Sequence, residues 1–364
     1  MKRVPDGPSV RPAAVAFPPL CGKVRPPIPP AADLTASTPA KPPSSQPIAP
    51  PGTAAEGETN VPRASVVVVS FHTGPVLFDA LRAVLAQTVP VEIIVVNNGN
   101  PADVEAGLAQ LASAHAHVRL VSGQGNVGFG AGSNLGCRYA RSPVMLFLNP
   151  DSLIGPDCLE RTLDVIATLP RHSMVGGDLR NPDGSPQRGA RRMLPTPWAS
   201  FIELFRVYKL APSHPYFARV NRHHDDLPAD TEAVPAISGA FMAMHKGDFC
   251  AIGGFDEAYF HHVEDLDFCL RWQTAGHLTW FTPEVRITHE KSTSAVSPSF
   301  VEWHKTVGLY RYFTRHFRQF YPAGFMQVVG VGLFARFAAG CVMRSIARLF
   351  GQRAGSFNAA KPYP

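Results

Sequence analysis

The six cysteines, Cys21, Cys137, Cys158, Cys250, Cys269 and Cys341, are far apart and form no C-x-x-C pair. This argues against a disulfide framework and against a cysteine-paired zinc site, and it fits a reducing cytoplasm. Charge is also scarce: 17% of residues are charged and the net charge is +6. That basic excess is too small and too scattered for nucleic acid, but it suits an anionic ligand or an anionic membrane surface. Prolines break every apolar stretch before Val66, so no signal peptide is expected.

Proline is abundant, but unevenly placed. Residues 1–62 hold 16 of the 36 prolines, separated by Ala, Ser and Thr. Such a segment buries too little apolar surface to offset its ordering entropy and reads as a disordered or polyproline-like tail. The other 302 or so residues, with hydrophobic residues at 45% of the whole chain, can build a sizeable core. The expected organisation is a tail over 1–62, a folded domain over 63–320 and a C-terminal apolar and basic helix with its tail over 321–364.

From Ser65 the pattern is regular. Ser65–Phe71 and Glu92–Asn97 are β-branched apolar runs of the kind buried on both faces of a sheet, and Val118–Val121 and Val144–Leu148 follow. Helical spacing appears over Val76–Gln87, 102–113, 131–140 and 156–169. Alternating strands and helices with short connections predict an α/β fold, a mostly parallel sheet flanked by helices, with a Rossmann-like nucleotide-binding half. Ligands of such sheets bind at the carboxyl ends of the strands, where Ser70–His72, Asn97–Asn98 and Asn149–Asp151 stand.

The second half is less regular. Residues 178–235 read as long loops around one helix at Trp198–Tyr208. Strands are expected at Ala236–Met244 and Leu278–Thr282, and helices at Glu264–Ala275 and Phe300–Phe317. Residues 323–350 are strongly apolar, but Gln327 and Arg336 interrupt a membrane span. Arg336, Arg344 and Arg348 fit an amphipathic helix at a membrane surface, and a helix packed into the core is the alternative.

Four motifs carry chemistry. Asn149-Pro150-Asp151 closes a buried strand, so Asp151 is a candidate ligand for Mg²⁺ or Mn²⁺ and, through the cation, for a diphosphate. Asn-Pro-Asp is equally good turn chemistry. Gly123–Gly128 spells G-x-G-x-x-G after a strand, with Asp151 downstream, which is the fingerprint of a dinucleotide-dependent oxidoreductase. Two strand–helix units precede the match, whereas that fingerprint normally opens the fold.

Glu264 and Asp265 begin a helix whose dipole favours two ionised carboxylates, and such a carboxylate can act as general base. Acid enrichment at a helix start is the plainer reading, and Asp267 with Arg271 reads as a helix-surface pair. His289 follows a strand and is a candidate ligand for a transition metal. His261 and His262 line a pocket at most. The basic run Arg188–Arg192 either faces phosphates or is solvated.

Taken in order, these pieces resemble the family 2 inverting glycosyltransferases of the GT-A fold, and within them the rhamnosyltransferase-type branch. The resemblance covers about residues 64–318 and rests on Ser65–Phe71, Asn126–Gly136, Leu146–Asp151, Asp183-Gly184, Arg188–Pro195, Ser238-Gly239-Ala240, Gly253–Glu257, Glu264–Arg271 and His289. It implies that Asp265 is the catalytic base, with Glu264, Gly239 and Ala240 at the acceptor. It also implies that Asp151 and His289 hold a divalent metal, Mg²⁺ or Mn²⁺. Ser70, His72, Asn97, Asn98, Asn126, Gly128, Asn134 and Asn149 would contact the nucleotide sugar.

The implied reaction is a single displacement that moves a sugar, rhamnose or another hexose, from a nucleotide diphosphate to a glycan or lipid-linked acceptor. The implied setting is the cytoplasm at the inner face of the membrane. Two departures stand out. Asn97 replaces the family's usual Asp, and Asn149 begins what is elsewhere a D-x-D motif.

Overall fold

The computed structural model describes residues 62–204, 225–291, 294 and 296–349. The expected tail, apart from Pro62, and the expected helix beyond Leu204 lie outside the described residues. Strand and helix alternate through β1 (Ala64–Ser70), α1 (Val76–Leu85), β2 (Val91–Asn97), α2 (Ala102–Ala114), β3 (Val118–Val121), α3 (Phe129–Tyr139) and β4 (Val144–Leu148). The next elements are β5 (Ser152–Ile154), α4 (Cys158–Thr168), β6 (Ser173–Arg180), β7 (Arg191–Arg192), α5 (Pro197–Leu204), β8 (Glu232–Ala233) and β9 (Ala236–Ile237). The chain continues through β10 (Phe241–His245), α6 (Lys246–Ala251), α7 (Glu264–Thr274), β11 (Leu278–His289), α8 (Pro298–Phe317) and α9 (Phe325–Leu349).

One nine-stranded sheet has the order β3-β2-β1-β4-β10-β6-β11-β5, with β8 paired to β11. The pairings set β3, β2, β1, β4, β6 and β11 in one direction and β10, β5 and β8 in the other, so six of nine strands run together. Every residue of β1 and of β2 is buried, as their unbroken apolar runs require. Helix α1 closes over the sheet with Leu77, Ala80, Leu81 and Val84 on its buried side, a helical spacing that the sequence shows directly.

Three departures from the sequence expectation in the later half bear on the site. Strand β6 lies where no strand was expected. Its Gly176-Gly177 pair and Asp178 dilute the apolar signal, yet a Cβ on Gly177 would stand 2.4 Å from Ile287 Cδ1 and 2.5 Å from the Val285 carbonyl. Close packing against β11 therefore demands glycine there.

Strand β11 runs on to His289 rather than ending at Thr282. Its register against β6 shifts between Thr282 and Arg286, around Pro283, which has no N–H for the ladder. The single strand expected over Ala236–Met244 is two strands, β9 and β10. Between them Ser238–Ala240 turn their backbone groups toward other segments, and those contacts organise the site.

Candidate active site

Strands β1, β2, β4 and β11 share a direction, so Ser70, Asn97, the Asn149–Asp151 turn and His289 all gather at one edge of the sheet. This is the carboxyl edge at which open α/β sheets bind ligands.

At its first corner, Ser70 and Asn97 are paired across β1 and β2. Asn100 ties them together. It accepts from the His72 N–H at 2.7 Å, and its amide donates to Asn97 Oδ1 at 2.9 Å and to the Ser70 carbonyl at 3.2 Å. Asn97 Oδ1 also accepts the Asn100 N–H at 2.9 Å, while its amide reaches Glu105 at 3.1 Å. Asn100 was not among the expected contacts. Its signal in the sequence is the Asn97-Asn98-Gly99-Asn100 run itself, an Asx-turn composition.

Asn98 donates to the Gly128 carbonyl at 3.0 Å, and Asn126 Oδ1 accepts the Gly128 N–H at 3.1 Å. Gly128 adopts a φ of 85°, and a Cβ there would lie 2.2 Å from the Phe260 carbonyl oxygen, so only glycine fits. Ser70, His72, Asn97, Asn98, Asn126 and Gly128 are therefore one cluster. Asn134 is elsewhere: its amide donates to the Phe255 carbonyl at 2.9 Å and to Glu257 at 3.0 Å, fastening α3 to a distant loop.

The glycines of 123–128 follow β3, the edge strand, rather than a central first strand. The dinucleotide-dependent oxidoreductase reading gains no support from that placement.

At the second corner Asp151 and His289 meet, with Asp151 Oδ1 3.0 Å from His289 Nε2. Both are buried. Asn149 Nδ2 stands 3.2 Å from the same ring nitrogen. The Glu290 N–H bonds the Asp151 carbonyl at 2.9 Å, and Gln187 Oε1 holds His289 Nδ1 at 2.7 Å. Gln187 also donates to the His289 carbonyl at 2.8 Å. It escaped the sequence reading because nothing in its local sequence marks it; only the fold brings it 102 residues along the chain to His289.

The arrangement suits a divalent cation. Two adjacent ligands of an octahedral ion at about 2.1 Å stand about 3 Å apart, as this oxygen and nitrogen do. Fixing one imidazole nitrogen through the other is the usual way a histidine ligand is oriented. Among the described residues no cluster of three or more His, Cys, Asp or Glu groups is poised for a metal, so two protein ligands would leave positions for phosphate oxygens and water.

The third corner is the start of α7. His262 and Val263 precede it with φ of 66° and 74°, a left-handed pair that is costly for a β-branched residue. Asp265 Oδ2 accepts the Gly239 N–H at 3.2 Å and pairs with Arg192, whose guanidinium also donates to the Ile237 carbonyl at 3.2 Å. The neighbouring residue Ala240 accepts the Asn149 N–H at 3.0 Å and the Ser152 hydroxyl at 3.3 Å. Two consecutive residues, Gly239 and Ala240, thus join the second corner to the third.

Several expectations need correction here. Glu264 is not an ionised partner of Asp265. Burial and the adjacent Asp265 charge push its pKa up to about 8, and its buried Oε2 has no partner among the described residues. Asp267 is not at the surface: it is fully buried and holds Arg271 and His316, each at 2.7 Å, and the Tyr259 hydroxyl at 3.2 Å. Burial alone would raise its pKa, but the His316 and Arg271 bonds outweigh that and lower it.

The basic run is not solvated throughout. Arg191 is buried against the Asp225 and Asp226 carbonyls and Glu232, and Arg192 faces Asp265. Burial also lowers the pKa of His261 to about 4 and of Lys291 to about 8, the latter helped by Arg192, Arg188 and Lys305 nearby.

The sequence profile of glycosyltransferase-like family 2 matches residues 62–321. The chain belongs to that family. This glycosyltransferase is 29% identical over 242 residues to the N-acetylglucosaminyl-diphospho-decaprenol L-rhamnosyltransferase of Mycobacterium tuberculosis, covering 63% of this chain and 76% of that one. It is 27% identical over 218 residues to rhamnosyltransferase WbbL of Escherichia coli, covering 57% and 78%. Among solved structures it is similar to GalNAc-T7 with UDP, GalNAc and Mn²⁺, with a TM-score of 0.50 at 15% identity over 77% of this chain and 55% of that one. The fold is of the GT-A type, as the sequence resemblance implied.

Proposed function

We propose that this glycosyltransferase moves a sugar, rhamnose foremost, from a nucleotide diphosphate donor to a saccharide carried on a lipid diphosphate, with inversion at the anomeric carbon. The supporting observation is the junction at Gly239 and Ala240, which sets the Asn149–Asp151 turn and the Asp265 carboxylate on neighbouring backbone groups. The sugar follows both rhamnosyltransferase relatives, and the acceptor class follows the mycobacterial one. The setting is the cytoplasm at the inner membrane face.

In this reading the Ser70–Asn100 cluster and the Asn98–Gly128 contact receive the nucleoside. Asp151 and His289 would hold Mg²⁺ or Mn²⁺, and the cation would supply positive charge to balance the departing diphosphate. Asp265 accepts the proton of the acceptor hydroxyl. That oxygen bonds to the anomeric carbon as the bond to the diphosphate breaks, and the electron pair leaves with the phosphate. Attack and departure on opposite faces invert the configuration, and no covalent enzyme intermediate is needed. Arg192 holds the Asp265 carboxylate until the acceptor hydroxyl takes its place.

The test is a thermal-shift panel of dTDP-rhamnose, UDP-galactofuranose, UDP-glucose and NADH, each with and without Mn²⁺. Saturating donor raises the apparent stability by about 3–4 kcal/mol at 100 to 1,000 times Kd. The expected result is a Mn²⁺-dependent shift with a nucleotide diphosphate sugar and none with NADH. No shift with any of the sugars in Mn²⁺ would contradict the reading.

A further inference from the structure

Helix α9 carries more apolar surface than the other described residues cover. On its inner side Val329 and Leu333 pack against the core, while Phe334 and Phe337 meet the ring of Trp303 at 5.8 and 5.5 Å. Its outer side exposes Val328, Val331, Gly332, Ala335, Ala338, Ala339, Val342, Met343 and Ile346. At 100° per residue these positions fall within an arc of about 140°, and none of them is polar.

Val331 is 71% exposed and Met343 70%. The apolar window within Phe325–Ile346 has a mean hydropathy of 1.6 and is only 11% buried, so α9 is not the core-packed helix that the sequence left open. An exposed patch of this kind marks an interaction surface.

Charge identifies the occupant. Helix α9 contains no acidic residue, and Arg336 borders the apolar arc, with Arg344 farther round the helix. The nearby acid, Glu302 of α8, is engaged by Arg336 at 3.3 Å and Lys305 at 3.4 Å. An apolar face edged by arginine complements an anionic bilayer. Trp303 is 45% exposed and sits beside the same helix, where an amphipathic ring suits the headgroup level.

The packing also fixes the orientation. Trp303 meets Phe337, while Tyr310 meets Phe334, so α9 lies antiparallel along α8. Helix α8 continues into Tyr312, Phe313 and Phe317 of the core and carries Arg311 and Arg315. A helix bound lengthwise to that element cannot cross a bilayer without drawing these charges in.

We propose that α9, with the exposed edge of α8, lies in the headgroup–acyl boundary of an anionic membrane and sets the catalytic edge against it. This rests on the reading of a lipid-linked acceptor and adds the surface that meets the lipid. The first turns of α8 connect it to the site: Phe300 meets Phe260 edge-on at 6.0 Å and His304 packs against it at a tilt at 4.7 Å, and the Phe260 carbonyl accepts the Phe129 N–H at 3.2 Å beside Gly128. Phe260 lies five residues before Asp265, on the loop that leads into α7.

The test is flotation of the full chain, without substrates, on phosphatidylcholine vesicles with and without about 30% phosphatidylglycerol. The expected result is at least tenfold stronger binding to the anionic vesicles, lost in the Val331→Asp/Met343→Asp pair and weakened in Arg336→Gln. The milder Val331→Ser/Met343→Ser pair guards against misfolding, checked by an unchanged melting temperature. Vesicle binding unaltered in both folded pairs would overturn the proposal. So would a wild-type chain that ignores vesicles but forms dimers that Val331→Asp/Met343→Asp dissociates. Because no donor or acceptor is present, this outcome is independent of the donor-binding test of the transferase reading.

Discussion

Two of the polar clusters at the carboxyl edge are built on opposite principles. Around Asn97 and Asn100, neutral amides and hydroxyls satisfy one another within a tight turn. Around Asp265, charges are close and backbone is strained. Glu264 Oε2 and Arg192 Nε are buried without partners among the described residues, and His262 and Val263 are left-handed. A satisfied network is rigid and receives a ligand without rearranging. Backbone strain and buried polar atoms without partners are what a reacting centre retains at the expense of stability. In the proposed mechanism the first cluster binds the nucleotide and the second carries the chemistry.

Breaking the second cluster has the largest expected effect on turnover and the smallest on binding. Asp265→Asn is expected to bind nucleotide sugar and Mn²⁺ as the wild type does, and to lose at least about 10² in kcat. Steady-state kinetics beside calorimetric donor binding measures this, and unchanged kcat removes Asp265 from the role of base. Next, Gln187→Leu releases His289 Nδ1 and is expected to weaken Mn²⁺ binding by about 10- to 100-fold while the fold stays intact.

Glu264→Gln sharpens the contrast through stability. With its folded pKa raised from 4.5 to about 8, Glu264 contributes fully below pH 4.5, and that contribution is lost as pH rises through about 8. The Gln variant therefore matches the wild type near pH 4.5 and exceeds it by about 1–3 kcal/mol at pH 8 in urea unfolding. An equal gap at both pH values contradicts the assignment. The smallest effect is at the first cluster: Asn100→Ala should cost about 1–2 kcal/mol of stability and weaken donor binding, with kcat at saturation little changed.

The regular half was legible because its strands are buried on both faces, so Val66–Val69 and Ile93–Val96 appear as unbroken apolar runs. The second half was not, because its signals come from tertiary contacts. Strand β6 is written with two glycines that only its neighbours explain, and β11 passes through a proline that resembles a stop.

The site followed the same division. Asp151, His289 and Asp265 stand out in the sequence by their places at strand and helix ends. Gln187 and the Arg192 contact depend on approaches over 102 and 73 residues, which no local pattern encodes, whereas Asn100 is marked only by the Asx-turn run that it closes. Glu264 was read as charged because a helix start favours acids, but burial proved the stronger influence.

The proposed mechanism requires a single cleft in which metal, diphosphate and base meet. Titrating Mn²⁺ by electron paramagnetic resonance, with and without the nucleotide diphosphate, tests it most directly in the wild type and in Asp151→Ala, His289→Ala and Asp265→Asn. The expected result is that diphosphate tightens Mn²⁺ binding in the wild type and in Asp265→Asn, and that Asp151→Ala and His289→Ala abolish the effect. Mn²⁺ binding that remains diphosphate-dependent in both of those variants would contradict the account.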